Sequence, residues 1–167
     1  RFYDRKEIRD ALAYLRLIVN PADDVSLVRI INTPKRSIGE STVQELNRHA
    51  HGKAMPLFSA LVDLPDTLAN RPRKCVTDFL MMMTGLIAGQ DDQPLPDFVD
   101  HVVEVTGLLK QYEEEGTDDA MERADNLRAL MAQIRRFAAE NSGATLESYL
   151  EQVSLMTDNE DDDNSTG

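Results

Sequence analysis

The sequence predicts an all-α domain of about eight helices, with a helix-hairpin-helix-like element near its N-terminus. Apolar residues recur at helical spacing along nearly the whole chain, and no stretch keeps the alternation of a strand. The connectors are short runs rich in Pro, Gly, Asn and Ser, flanked by capping residues. A chain of 167 residues with 41% hydrophobic residues can bury one sizeable core, because a domain near this size hides about 70% of its unfolded surface. Trp is absent and aromatics make up 5%, so Leu, Ile, Val, Met and Ala must fill the interior.

The elements follow in order. Asp4 with Glu7 has the spacing of an N-cap and its N3 partner; Ile8, Leu12, Leu15 and Val19 then line one face up to a stop at Asn20-Pro21. A short helix is expected over 24–31, burying Leu27, Ile30 and Ile31, and 32–40 reads as a loop carrying Pro34 and Gly39. Thr42 and Glu45 form a capping box opening a helix with Val43, Leu46 and Ala50 inward, ended by Gly52. Pro56 suits the first turn of a short helix holding Leu57, Phe58 and Leu61. Residues 63–72 read as a linker. Val76, Phe79, Leu80, Met83 and Leu86 mark a longer helix ending near Gly89. Pro96 starts the next, with Phe98, Val102, Val105 and Leu109 on one face and Gly107 as a point of breakage inside it. Thr117 caps a long helix carrying Ala124, Leu127, Met131, Ile134 and Ala138. After the turn Asn141-Ser142-Gly143, Thr145 caps a last helix with Leu146, Tyr149, Leu150, Val153 and Met156. The expected organisation is a helical body over 1–157 and an acidic, disordered tail over 158–167.

Composition excludes several classes. The longest apolar runs, such as 79–83, are five residues, far short of the about 20 a membrane-spanning helix needs. One cysteine, Cys75, permits no intrachain disulfide and fits a reducing, intracellular setting. The chain opens without Met and without an apolar leader, as expected of a piece of a longer protein. No phosphate loop of the G-x-x-x-x-G-K-[ST] type and no G-x-G-x-x-G is present. His49, His51 and His101 have no metal-ligand spacing, and His49 and His51, two apart, cannot face one ligand from a helix. Cys75 lies beside Arg73 and Lys74 but has no evident base, so a packed thiol is the better reading. Of Met81-Met82-Met83, helical spacing turns only part toward any neighbour, which favours core packing. Asp162, Asn164, Thr166 and Gly167 imitate the start of a calcium loop but lack its closing Glu. No catalytic residue and no metal or cofactor ligand is expected in this chain.

Charge is divided unevenly. The net charge is −12. Residues 1–74 hold 13 Lys and Arg against 9 Asp and Glu, a net of +4, whereas 75–167 hold 5 against 21, a net of −16. Such asymmetry suits a basic working face and an acidic remainder. The segment 23–46 is the informative part of the basic half. A short helix, a Gly-containing bend and a second helix crowd backbone N–H groups at the second helix's N-terminus, where the dipole adds roughly half a positive charge. That makes an anion site. Lys35 and Arg36 stand at its edge, Ser41 and Thr42 add hydroxyls, and Gly39 lets a ligand approach the backbone. This hardware suits a nucleic-acid phosphate and not a base edge. The same residues also suit an ordinary helix hairpin with a surface basic pair, and Glu40 places a negative charge inside the anion site.

Phe2-Tyr3-Asp4-Arg5-Lys6-Glu7-Ile8-Arg9-Asp10-Ala11-Leu12-Ala13-Tyr14-Leu15-Arg16 resembles the segment that opens subdomain 2B in UvrD/PcrA/Rep-type DNA helicases of superfamily 1. Arg29-Ile30-Ile31-Asn32-Thr33-Pro34-Lys35-Arg36-Ser37-Ile38-Gly39-Glu40-Ser41-Thr42 is similar to that family's duplex-contacting Gly-Ile-Gly motif, with Ser37 in place of its first Gly. Arg123-Ala124-Asp125-Asn126-Leu127-Arg128-Ala129-Leu130 is similar to its Arg-x-x-Asn-Leu-x-x-Leu helix. The resemblance implies an accessory body that swivels, regulates unwinding and touches the duplex ahead of the fork. Its DNA contacts would come from Thr33, Lys35, Arg36, Ser37, Ile38, Gly39, Ser41 and Thr42. It implies a parent ATP-dependent helicase of DNA repair or replication that binds ATP and Mg outside this chain. Implied partners are duplex DNA without sequence preference, the other motor subdomains and regulatory proteins, in a bacterial cytoplasm at the nucleoid, with no membrane. The alternative is a protein-interaction module meeting a basic partner through the acidic second half, with Glu113-Glu114-Glu115.

Overall fold

Helix α1, Lys6–Val19, is buried on nearly every side by the elements that pack on it. Ten of its 14 residues are buried, from Glu7 to Ile18, so it is a core helix and not the one-faced amphipathic helix that Ile8, Leu12, Leu15 and Val19 alone suggest. The computed structural model describes residues 1–165, with side chains through Asn159. A 3-10 turn, Phe2–Asp4, precedes α1. It is followed by α2 (Asp24–Ile30), α3 (Glu40–Gly52), α4 (Leu57–Val62), α5 (Asn70–Gly89), α6 (Leu95–Thr106), α7 (Leu108–Glu115), α8 (Asp118–Glu140) and α9 (Leu146–Ser165). Among the described residues there is no strand, and the architecture is all-α.

α1 packs against α2, α5, α8 and α9, while α6 and α7 lie on α8. The interior is aliphatic, as the composition requires. Tyr14, Phe79 and Phe98 are the largest fully buried side chains, among Ile8, Leu12, Leu17, Ile18, Leu27 and Leu46. Two polar ties reinforce the packing. Asp10, only 2% exposed, pairs with Lys6 Nζ at 2.7 Å and with Arg29 Nε at 2.8 Å, joining α1 to α2. Arg5 Nη1 donates to Asn126 Oδ1 at 2.7 Å, joining the chain's start to α8. On that stretch of α8, Ala124, Leu127 and Leu130 are buried, and the Arg123 guanidinium lies 6.0 Å from the Tyr112 ring centre.

The structure confirms some caps and corrects others. Thr117 Oγ1 accepts from Ala120 N at 3.1 Å and starts α8. Thr145 and Ser148 exchange bonds, Ser148 N to Thr145 Oγ1 at 3.1 Å and Thr145 N to Ser148 Oγ at 2.9 Å, which is a capping box with Ser in the reciprocal place. Gly107 adopts φ 77° between α6 and α7, so the expected eighth-of-eight helix becomes the last of nine described. The Thr42 and Glu45 box does not form. α3 begins three residues earlier, with Gly39 as its uncapped N-cap. Ile38 is buried at 1% exposure and draws the helix start inward; Glu45 instead accepts from Thr67 Oγ1 at 2.7 Å. Asp4 is likewise no cap: it ends the 3-10 turn and pairs with Arg1 at 3.6 Å. The linker is shorter than expected, because α5 already starts at Asn70 and Arg73 Nη2 donates to the carbonyls of Pro65 (2.9 Å) and Leu68 (3.3 Å). The expected boundary at 157 falls inside α9. The side chains of Asp162, Asn164, Thr166 and Gly167 lie outside the described ones, as do residues 166–167 altogether.

Thr117→Ala is expected to cost about 1 kcal/mol of stability through the lost cap. Glu45→Ala, on an exposed bond that caps nothing, should change it by less than about 0.5 kcal/mol. Urea unfolding followed by circular dichroism measures both; an equal loss for the two variants would contradict the cap assignment.

Candidate nucleic-acid interface

The bend between α2 and α3 is organised from inside. α2 runs out at Ile30, and its last carbonyls lack helical partners, as at any helix end. Arg36 turns back onto them. Its Nη1 donates to the carbonyls of Ile30 (3.0 Å), Ile31 (3.4 Å) and Thr33 (3.1 Å), and its Nη2 to Thr106 O (3.3 Å) and to the Tyr14 hydroxyl. The guanidinium also stands over two rings, 5.3 Å from the centre of Phe79 and 5.7 Å from that of Tyr14. A cation at a helix C-terminus is favoured by the dipole as well as by its hydrogen bonds. Tyr14 in turn donates to Thr33 O. Asn32 Oδ1 accepts two backbone amides, Arg36 N at 2.7 Å and Ile38 N at 3.2 Å, closing the turn. The Thr33-Pro34 peptide is cis, and a Cβ on Gly107 would stand 3.8 Å from Pro34 Cγ.

The eight residues expected to touch a ligand therefore divide. Lys35, Ser37, Gly39 and Ser41 are exposed; Ile38 and Thr42 are buried; Thr33 and Arg36 are half-buried. Arg36 departs most from expectation. It belongs to the interior web and not to the rim, whereas Lys35 makes no ion pair among the described residues and points to solvent. Thr42, packed at 8% exposure, does not present its hydroxyl outward in the way Ser41 does.

The amides of Gly39, Glu40, Ser41 and Thr42 find no acceptor among the described residues, and no side chain caps them. Glu40, the charge that argued against an anion site, accepts from Gln44 Nε2 one turn further along (3.5 Å) and leaves the helix end uncovered. Gly39 has φ −78° and ψ 174°, a conformation open to any residue, and a Cβ there would meet nothing within 4 Å. Its lack of a side chain frees the approach from outside and is not demanded by the backbone. Ser37 is the reverse case: its φ of 61° is left-handed, where Gly is the comfortable residue. The geometry thus offers an exposed, positively polarised helix end beside a free lysine, suited to an anionic oxygen.

Sequence reasoning missed Asn32 and Tyr14 as organisers of the bend. The available signal was an Asn just after an apolar helix and a Tyr among aliphatic positions, each carrying hydrogen-bonding groups that must be satisfied if buried. Burial pushes the Tyr14 hydroxyl up from 10.0 to about 12, with the Arg36 charge and hydrogen bond opposing. His49 Nε2 faces Asp63 Oδ2 at 3.3 Å, which Lys53 Nζ also reaches at 2.7 Å; the two bonds hold the Asp63 carboxyl below its usual range. Met83 is fully buried and Met81 is 67% exposed. Cys75 is half-buried on a cavity of about 280 Å³ shared with Arg36, Asp78, Phe79 and Met82. Among the described residues no group of three His, Cys, Asp or Glu could hold a metal ion, and no helix is long and apolar enough to cross a membrane.

Known proteins resemble the whole chain. A family model described as the UvrD-like helicase C-terminal domain matches residues 1–166. An ATP-dependent DNA helicase PcrA from Staphylococcus epidermidis is 34% identical over 172 aligned residues, covering 100% of this chain and 23% of that protein. A PcrA helicase from Staphylococcus aureus is 33% identical over the same span and shares. The chain thus spans about a quarter of the length of these curated relatives.

Ser37→Gly should raise stability by about 1 kcal/mol by relieving the left-handed backbone, read as a higher urea midpoint; a lower midpoint would contradict the assigned geometry. For Tyr14, the folded state holds its proton where the unfolded state releases it. Stability is therefore full below pH 10, and about 2–3 kcal/mol is lost as pH rises to about 12. Tyr149, also raised by burial, acts in the same direction. In an absorbance titration, two of the four tyrosines should ionise only together with loss of helix.

Proposed function

The chain belongs to the UvrD-like helicase C-terminal domain family, and from that premise we propose that it is a 2B-type accessory body of an ATP-dependent DNA helicase. In this reading it contacts the sugar-phosphate backbone of duplex DNA with the bend before α3 and regulates unwinding by its position on the duplex. One observation carries the reading: the uncapped amides of residues 39–42 lie at a surface beside the unpaired Lys35, with Gly39 open to close approach. Phosphate contacts of this kind position a duplex without reading its bases. The ATP and Mg that drive unwinding would be held by motor subdomains outside these residues, and those subdomains are the first partners. No nucleotide chemistry is assigned to this chain, which has no phosphate loop.

A second reading, docking of a basic protein partner on the acidic half, has its own support. A groove of about 530 Å³ between α1 and α9 is lined by Val19, Leu150 and Leu155, with Arg16, Glu147 and Glu151 along it, and Leu155 is 65% exposed. Leu155→Asp separates the readings, because it should leave duplex binding unchanged while weakening capture of a Lys- and Leu-rich amphipathic peptide.

Binding of a labelled mixed-sequence duplex, measured by fluorescence anisotropy against salt, tests the leading reading. Affinity should be weak, with Kd ~10⁻⁴ M at physiological salt. Lys35→Gln should lower the slope of log K against log salt by about 0.9, the share of one phosphate. Gly39→Ala should weaken binding while changing stability by less than about 1 kcal/mol. Unchanged binding in Lys35→Glu would overturn the assignment of this face.

A further inference from the structure

We infer that Arg36 is a positioning residue: it holds the bend in its ligand-facing shape from behind and does not itself meet the phosphate. The inference rests on the reading that this bend faces duplex DNA, and it reverses what a Lys-Arg pair at an anion site suggests. Lys35 and Arg36 are adjacent in sequence and alike in charge, yet they point in different directions. The Arg36 guanidinium donates to four carbonyl oxygens and one hydroxyl, drawn from α1, the end of α2, the turn itself and the end of α6. A planar cation with five N–H donors can serve such a divergent set of acceptors; an ammonium with three cannot reach them all. Phe79 and Tyr14 pack on it. The cavity that opens beside it is lined by Cys75, Asp78, Phe79 and Met82, and an acidic and apolar lining does not invite a phosphate.

The consequence for the site lies in the next three residues. Arg36 N and Ile38 N share Asn32 Oδ1, so the main chain at 36–38 is tied down on both its side-chain and its backbone faces. Ser37 between them is held at a left-handed φ, and Gly39 follows as the start of α3. Release of the guanidinium removes its bonds to Thr33 O and Thr106 O together and leaves Thr33 O to the Tyr14 hydroxyl alone. The bend then loses its tie to α6, and the amides at 39–42 lose their common direction. In this role the charge serves the end of α2 and the two rings behind the bend, and the forked shape is what lets one side chain reach all five acceptors.

The test uses the whole chain and compares Arg36→Lys, Arg36→Gln and Tyr14→Phe, the last removing the hydroxyl that bridges Arg36 to Thr33. Two readouts are taken: amide hydrogen exchange at Ile38, and anisotropy of the labelled duplex across a salt series. All three variants should accelerate Ile38 exchange at least tenfold while the amides of α8 keep their protection. Arg36→Lys should lose duplex affinity about as far as Arg36→Gln, with the salt slope unchanged in both. Wild-type affinity in Arg36→Lys, with a slope lowered by about 0.9 in Arg36→Gln, would make Arg36 a phosphate ligand and overturn the inference. Unaltered Ile38 exchange would also overturn it, as would loss of protection throughout α8, which would assign the residue to the global core. If the wild-type chain binds no duplex while Ile38 exchange still rises in the variants, the duplex reading falls and the positioning role of Arg36 stands.

Discussion

A helix buried on nearly all sides must have its polar groups answered by whatever packs on it, and α1 imposes that constraint on the rest of this molecule. Asp10 and Tyr14 sit within its buried surface, at 2% and 0% exposure. An unmet carboxylate or hydroxyl there would be costly. Asp10 is answered by Lys6 and by Arg29 of α2; Tyr14 is answered by Thr33 and Arg36 of the bend. Asp10 and Tyr14, two of the three polar residues buried on this helix, thus tie down the short helix α2 and the turn that follows it. Packing of Leu27, Ile30 and Ile38 against the same core completes the placement.

The surface that results has a physical division of labour. The guanidinium faces inward, where a low dielectric and many acceptors suit a delocalised, weakly hydrated cation. The ammonium of Lys35 faces water, as a compact and strongly hydrated charge prefers. Beside it the uncapped start of α3 adds a fixed partial charge that needs no side chain. Along the sequence the negative charge is concentrated in the second half, at −16, whereas residues 1–74 carry +4, and uneven charge of this kind shapes the field a charged partner meets. The chain belongs to the UvrD-like helicase C-terminal domain family and spans about a quarter of the length of its curated relatives.

Much of the fold could be read without coordinates, because helix ends and apolar spacing are local. Thr117, Thr145, Gly107 and the Asn141-Ser142-Gly143 turn act through neighbours three or four residues away, and they occur where the pattern puts them. The Thr42 and Glu45 box failed for a non-local reason: burial of Ile38 advanced the helix start to Glu40, and Glu45 found Thr67 from a different segment. The apolar face of α1 includes Ile8, Leu12, Leu15 and Val19 as expected and is wider than they indicate, for the same kind of reason. Spacing reports one apolar stripe, while a helix enclosed by four others also buries Ala11, Ala13 and Leu17.

At the bend, the residue types alone raised the expectation of an anion site, since a Gly-containing turn before a helix, a lysine and hydroxyl side chains carry that chemistry where they are exposed. Only the tertiary structure decided which members of that set face outward. Lys35 and Arg36 are indistinguishable as charges in a sequence, and their separation depends on acceptors contributed by Tyr14 and Thr106. Those lie 22 residues before and 70 residues after Arg36 in the chain, and spacing within a short motif carries no information about partners so distant.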